Sequence, residues 1–110
     1  MRVLLDECLP RKLGPLIVGH QVVTVPQAGL AGLKNGALLL QAGGRFDVLV
    51  TIDQSIPNQQ NLAAAKIALV QLAAVSNALE SLTPLVPELL AVLPSVIPGQ
   101  VYCISAPASP

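Results

Sequence analysis

Val3-Leu4-Leu5-Asp6-Glu7 decides the fold. A short, wholly aliphatic run reads as a buried strand. Asp and Glu are poor strand residues, so the strand ends at or near Asp6. In open α/β sheets, ligands and chemistry gather beyond the carboxyl ends of the strands. Asp6 is therefore a candidate functional group, and the question is which second acid meets it. Asp47-Val48-Leu49-Val50-Thr51-Ile52-Asp53 is the other apolar run that finishes in an acid. Asp53 is the counterpart.

The remaining elements follow outward from these two strands. Residues 2–6 form the first strand. A short helix follows over 10–18, with Leu13, Leu16 and Ile17 on one side and a kink or early end at Gly14-Pro15. Gly19-His20 is a turn that leaves His20 exposed. The second strand is 21–25, rich in β-branched residues, and Pro26 ends it. Residues 26–36 are a loop with flexible positions at Gly29, Gly32 and Gly36. A helix over 37–42 is capped by Asn35 and stopped by Gly43-Gly44.

The third strand, 47–52, is apolar on both faces, as in a parallel sheet covered by helices. The polar loop 53–61 leaves its end, where functional loops are placed. A fourth strand spans 66–72. Helical turns over 77–93 are closed by Pro94 and Pro98. A fifth strand, 100–104, lies at the sheet edge, and residues 106–110 are a loose tail. Helices alternating with apolar strands call for an α/β fold with a mostly parallel sheet of about five strands.

The 110 residues make one domain, spanning 1–105. The chain is 53% hydrophobic and 11% charged, where about 25% charged is usual. A surface so short of charge favours association, and a homo-oligomer is expected. Net charge is zero, which argues against nucleic-acid binding by bulk electrostatics while leaving room for a local basic patch. No transmembrane run of about 18 apolar residues is present. Asp6 and Glu7 interrupt what would be a signal peptide's apolar region, so a cytoplasmic location is expected. Cys8 and Cys103 then read as reduced thiols.

If the first and third strands are parallel neighbours, Asp6 and Asp53 emerge at one edge about 5–10 Å apart. Two carboxylates that close repel unless a cation lies between them, and Mg²⁺ or Mn²⁺ suits such oxygen ligands. Glu7 is a third candidate ligand, although adjacent strand residues point to opposite faces. The alternative is that Asp6 and Asp53 are helix caps or loop carboxylates. Arg11, Lys34, Asn35 and Asn58 are candidates for substrate contact, with bracing of its own loop the alternative role for Asn58. Cys8 beside the acids has a raised pKa and is a poor nucleophile. No P-loop or dinucleotide fingerprint occurs.

Several segments together resemble a known family. Leu4-Leu5-Asp6-Glu7-Cys8-Leu9-Pro10, Ala31-Gly32-Leu33-Lys34-Asn35-Gly36, and Phe46-Asp47-Val48-Leu49-Val50-Thr51-Ile52-Asp53 with Gln59-Gln60-Asn61 are similar to the small bacterial PIN-like proteins related to VapC-type toxins. Ser76-Asn77 and the Leu/Pro-rich helix at 83–93 fit the same pattern. The resemblance implies a PIN-like three-layer sandwich with acids at the strand ends that hold Mg²⁺ or Mn²⁺. It implies ribonuclease activity on RNA, often as the toxin paired with an antitoxin protein. Asp6 and Asp53 match its first-strand and third-strand acids.

The departures are specific. Ala37 stands where the family has Glu after Lys-Asn-Gly, Leu30 where it has an aromatic, and Gln54 where it has a basic residue. Ala37 removes a metal carboxylate. The alternative implied is a catalytically weakened module that binds a partner protein or RNA without cleavage. A receiver-like or nucleotide-binding α/β domain is a third reading, but the buried Lys such a receiver needs near its last strand is missing.

Overall fold

The structure is a computed structural model that describes residues 1–33, 35–53 and 66–105, with the side chain of Asn35 left out of the description. The polar loop 54–61, Lys34, Asn58 and the tail 106–110 lie outside those residues. Among the described residues five strands form one sheet: β1 (Arg2–Leu5), β2 (Gln21–Thr24), β3 (Val48–Thr51), β4 (Ala68–Ala73) and β5 (Val101–Ser105). All pairings are parallel, in the order β2-β1-β3-β4-β5. The expected α/β class and parallel sheet are thus present, and β5 lies at an edge.

Strand alternation divides the core into two layers. Val3, Leu5, Val48 and Val50 face one cluster, completed by Leu13, Ile17, Leu82, Leu85, Leu89 and Leu93 from the helical segments. Leu4, Leu49 and Leu69 face the other, completed by Leu38, Leu39, Ala42 and Phe46. Each strand residue of β3 is buried, which is why that strand carries no alternation in its hydropathy: helices cover both faces. The result is three layers, helix on sheet on helix.

Local chemistry explains the helical pieces. The segment expected as a helix over 10–18 is a 3-10 helix, Arg11–Leu16, containing Pro15. Pro15 has no N–H, and its ring blocks the carbonyl four residues back. Shorter-range bonds take over: Leu13 N–H donates to Pro10 C=O and Ile17 N–H to Gly14 C=O, both at 3.0 Å. Pro10 precedes this helix instead of starting it. The next helix, α1 (Asn35–Ala42), begins at Asn35 itself, so Asn35 lies within its first turn, not before it. Gly44 takes φ 86° just beyond its end, a left-handed conformation that glycine reaches without cost.

After β4 the chain forms α2 (Leu79–Leu82), a 3-10 turn (Thr83–Leu85), α3 (Val86–Val92) and a second 3-10 turn (Leu93–Ser95). The prolines at 84, 87 and 94 fall at the starts of these pieces, where a missing N–H leaves no bond unmade. His20, expected to be exposed, is half-buried. Among the described residues no helix is long and apolar enough to cross a membrane.

Candidate functional site

The strand order reverses direction between β1 and β3, and a crevice opens at such a point beyond the carboxyl ends of the strands. Val3, Leu4 and Leu5 stand opposite Val48, Leu49 and Val50. The pairing continues one step further, since Asp6 N–H donates to Val50 C=O at 3.0 Å. Asp6 therefore leaves the sheet level with Thr51.

Thr51 is fully buried, and its hydroxyl donates to Asp6 Oδ2 at 2.7 Å. The same hydroxyl accepts the backbone N–H of Asp53 at 2.9 Å. One side chain thus links the acid that ends β1 to the backbone of the acid beyond β3. Asp6 Oδ1 accepts the Glu7 N–H at 2.8 Å. Cys8 Sγ lies 3.6 Å from both Asp6 Oδ2 and Thr51 Oγ1. Burial pushes the Cys8 thiol above its ordinary pKa, and the Asp6 carboxylate acts in the same direction.

The polar row continues across the sheet. Thr51 is paired with Gln71, and Gln71 with Cys103. Gln71 is 6% exposed. Its amide donates to Asp53 C=O at 3.1 Å, and its Oε1 accepts from Cys103 Sγ at 3.3 Å. Both buried polar side chains among the described residues, Thr51 and Gln71, therefore hold Asp53 in place. Beyond β4, Asn77 Nδ2 donates to Cys8 C=O at 3.1 Å, which ties the last loop of this edge to the first.

The expected site residues separate into three groups. Asp6 and Asp53 come to one edge and share Thr51. Glu7 is exposed, and its Oε1 accepts the Gly32 N–H at 2.9 Å. Arg11 lines a pocket of about 220 Å³ together with Asp6 and Glu7. Ala37, where a Glu would add a carboxylate, is exposed on α1. Lys34 and Asn58 fall outside the described residues, as does the side chain of Asn35.

Sequence reasoning missed Thr51, Gln71 and Asn77. A signal for the first two was present, because each is a polar residue inside an otherwise aliphatic strand. Such residues need a hydrogen-bond partner when buried. What joined them was register, which pairs positions in separate strands.

Among the described residues no three His, Cys, Asp or Glu side chains converge as a metal cage. The donor chemistry that is present has a different character. Asp6 Oδ1 accepts one hydrogen bond, from Glu7 N–H, and Oδ2 accepts from the Thr51 hydroxyl and more weakly from the Cys8 thiol, so Oδ1 keeps the greater lone-pair capacity. A carboxylate pair at a strand edge suits a hydrated Mg²⁺ or Mn²⁺ completed by substrate phosphate oxygens. No family model, curated protein or solved structure matches the chain. The PIN-like resemblance thus stands on the quoted segments alone.

Proposed function

We propose that this chain is a PIN-like module that binds RNA at the carboxyl edge of its sheet and cleaves it slowly as a metal-dependent ribonuclease. The observation that carries the reading is the link from Asp6 through Thr51 to Asp53 at the β1/β3 reversal. Asp6 and Asp53 would hold Mg²⁺ or Mn²⁺. When bound, that ion would polarise a phosphoryl oxygen and lower the pKa of a water.

The chain's own groups have separate tasks. Thr51 and the Glu7 N–H fix the Asp6 carboxylate in one orientation. Gln71 and Thr51 anchor the backbone of Asp53. Arg11 supplies positive charge to a phosphate beside the acids, with Lys34, Asn35 and Asn58 as further contacts. Glu7 braces the 29–32 turn and enters the metal set only by leaving Gly32.

The second reading is a module that binds RNA or an antitoxin-like protein without cleavage. Ala37 favours it, because position 37 brings no carboxylate to the edge. Val75, 98% exposed, and Leu40, 77% exposed, support a protein partner or self-association.

Single-turnover cleavage of RNA with Mg²⁺ or Mn²⁺, run beside Asp6→Asn, tests the first reading. Loss of about a hundredfold in rate is expected for the variant. Equal rates in both proteins would remove Asp6 from the site. No cleavage by the natural chain, with RNA still bound, would leave the second reading.

A further inference from the structure

The turn that follows β2 is fixed by a reciprocal pair of hydrogen bonds. Thr24 N–H donates to Gln27 Oε1 at 3.0 Å, and Gln27 N–H donates to Thr24 Oγ1 at 3.3 Å. Further backbone bonds, from Ala28 N–H to Thr24 C=O and from Leu30 N–H to Val25 C=O, hold the same turn. The geometry has a chemical consequence. The Gln27 carbonyl is occupied as an acceptor, so the free end of its amide is the donating NH₂ group. The Thr24 oxygen is likewise occupied as an acceptor, which leaves its O–H to donate.

Arg11 stands beside this turn. Its side chain has no salt-bridge or hydrogen-bond partner among the described residues, and its guanidinium carries donors only. Arg11, Thr24 and Gln27 line the pocket that contains Asp6 and Glu7, and they also line an adjoining hollow of about 440 Å³ that runs on to His20. These three residues line both hollows. The Asp6–Glu7 end repels a bare anion. The Arg11 end presents a positive charge and preset donors.

We propose that Arg11, Thr24 and Gln27 form an anion subsite that takes a backbone phosphate of single-stranded RNA, next to the phosphate engaged at the Asp6–Asp53 edge. The inference rests on the RNA reading of that edge. The free polar groups of these three side chains are donors, which selects an acceptor-rich ligand, and charge-assisted hydrogen bonds are the strong ones. The Thr24–Gln27 turn is already closed, so little ordering is needed on binding. A phosphate contact at this place sets the register of the strand and carries no base information.

The test measures binding and cleavage separately. In the absence of divalent cations, inorganic phosphate is titrated while the Thr24 and Gln27 amide resonances are followed. Affinity for a short single-stranded RNA is then measured by anisotropy over a range of salt. Arg11→Ala is expected to weaken RNA binding about tenfold and to reduce the salt slope by about 0.7. Gln27→Glu, which replaces the donor by a charged acceptor, weakens it further. The Arg11 side chain is exposed and makes no bond among the described residues, so its variant stays interpretable if a Gln27 variant fails to fold.

Shifts at Thr24 and Gln27, RNA binding sensitive to Arg11, and no cleavage would keep the subsite and overturn the ribonuclease reading. Cleavage that depends on Asp6, with KM and salt slope unchanged in Arg11→Ala, would overturn the subsite and keep the nuclease. Absence of both phosphate shifts and RNA binding overturns the subsite.

Discussion

The Thr51 hydroxyl donates to Asp6 Oδ2 at 2.7 Å while accepting the Asp53 N–H. A single buried oxygen therefore coordinates the two acids of the edge. Replacing it with a methyl of similar shape leaves a carboxylate oxygen and an N–H each short of a partner. Thr51→Val should lower stability by about 1–3 kcal/mol, and Thr51→Ser should retain most of it. Urea midpoints of the three proteins measure this. A Val variant as stable as the natural chain would show the link to be without energetic weight.

Ala37 offers a gain-of-function experiment. Its side chain is exposed on α1, so a longer residue costs little in packing. Ala37→Glu should raise Mn²⁺ affinity by about tenfold and raise the cleavage rate with it, as read by calorimetry and single-turnover assay. If affinity and rate stay at the natural level, position 37 does not serve this edge.

The Cys8 thiol should be slow to alkylate at neutral pH, because burial and the nearby Asp6 carboxylate raise its pKa and the thiolate is the reactive form. Mass spectrometry after iodoacetamide treatment reports it against the exposed Cys103. The sign for stability follows. The fold favours the protonated thiol, so this contribution is complete below the ordinary thiol pKa of about 8.5 and is lost as pH rises through the higher folded value. Fast neutral-pH labelling of Cys8 would contradict the burial.

Asp47 behaves in the opposite sense. The Arg2 N–H donates to its Oδ2 at 2.7 Å, and the Arg2 guanidinium lies 3.6 Å from its Oδ1. The backbone bond first, then the guanidinium, lowers its pKa. Its contribution is therefore present above the ordinary Asp value of about 3.9 and is lost as pH falls through the lower folded value. The side chain is 42% exposed, so Asp47→Asn should cost no more than about 1 kcal/mol at neutral pH. The cost should vanish in strong acid. Denaturation midpoints at the two pH extremes check both statements.

Leu49 tests the sheet itself. It is fully buried at the centre of β3, in the layer beneath α1. Leu49→Ala should cost about 2–5 kcal/mol in a urea titration. A cost well under that range would mean that α1 does not cover this face tightly.

The strands were legible because their pattern is local. Val3-Leu4-Leu5 and Val48-Leu49-Val50 are short aliphatic runs ended by acids or polar residues, and burial on both faces removes any alternation. The kink signal at Gly14-Pro15 was legible too, but its outcome was a 3-10 helix, because Pro15 forbids the longer α bond across the segment. Asn35 looked like a cap and lies inside α1. Helix starts depend on which turn packs first, and side-chain type only biases that choice.

The sequence by itself determined an α/β chain with acids at the ends of two buried strands, since hydropathy pattern and strand-breaking residues act within a few positions. The tertiary structure decided the rest of the site. Parallel register sets Asp6 level with Thr51, and Thr51 beside Gln71 and Cys103. It also brings Arg11 to the turn after β2. Residues 6, 51, 71 and 103 lie far apart in the chain, and hydrogen bonds between strands alone place them in one row.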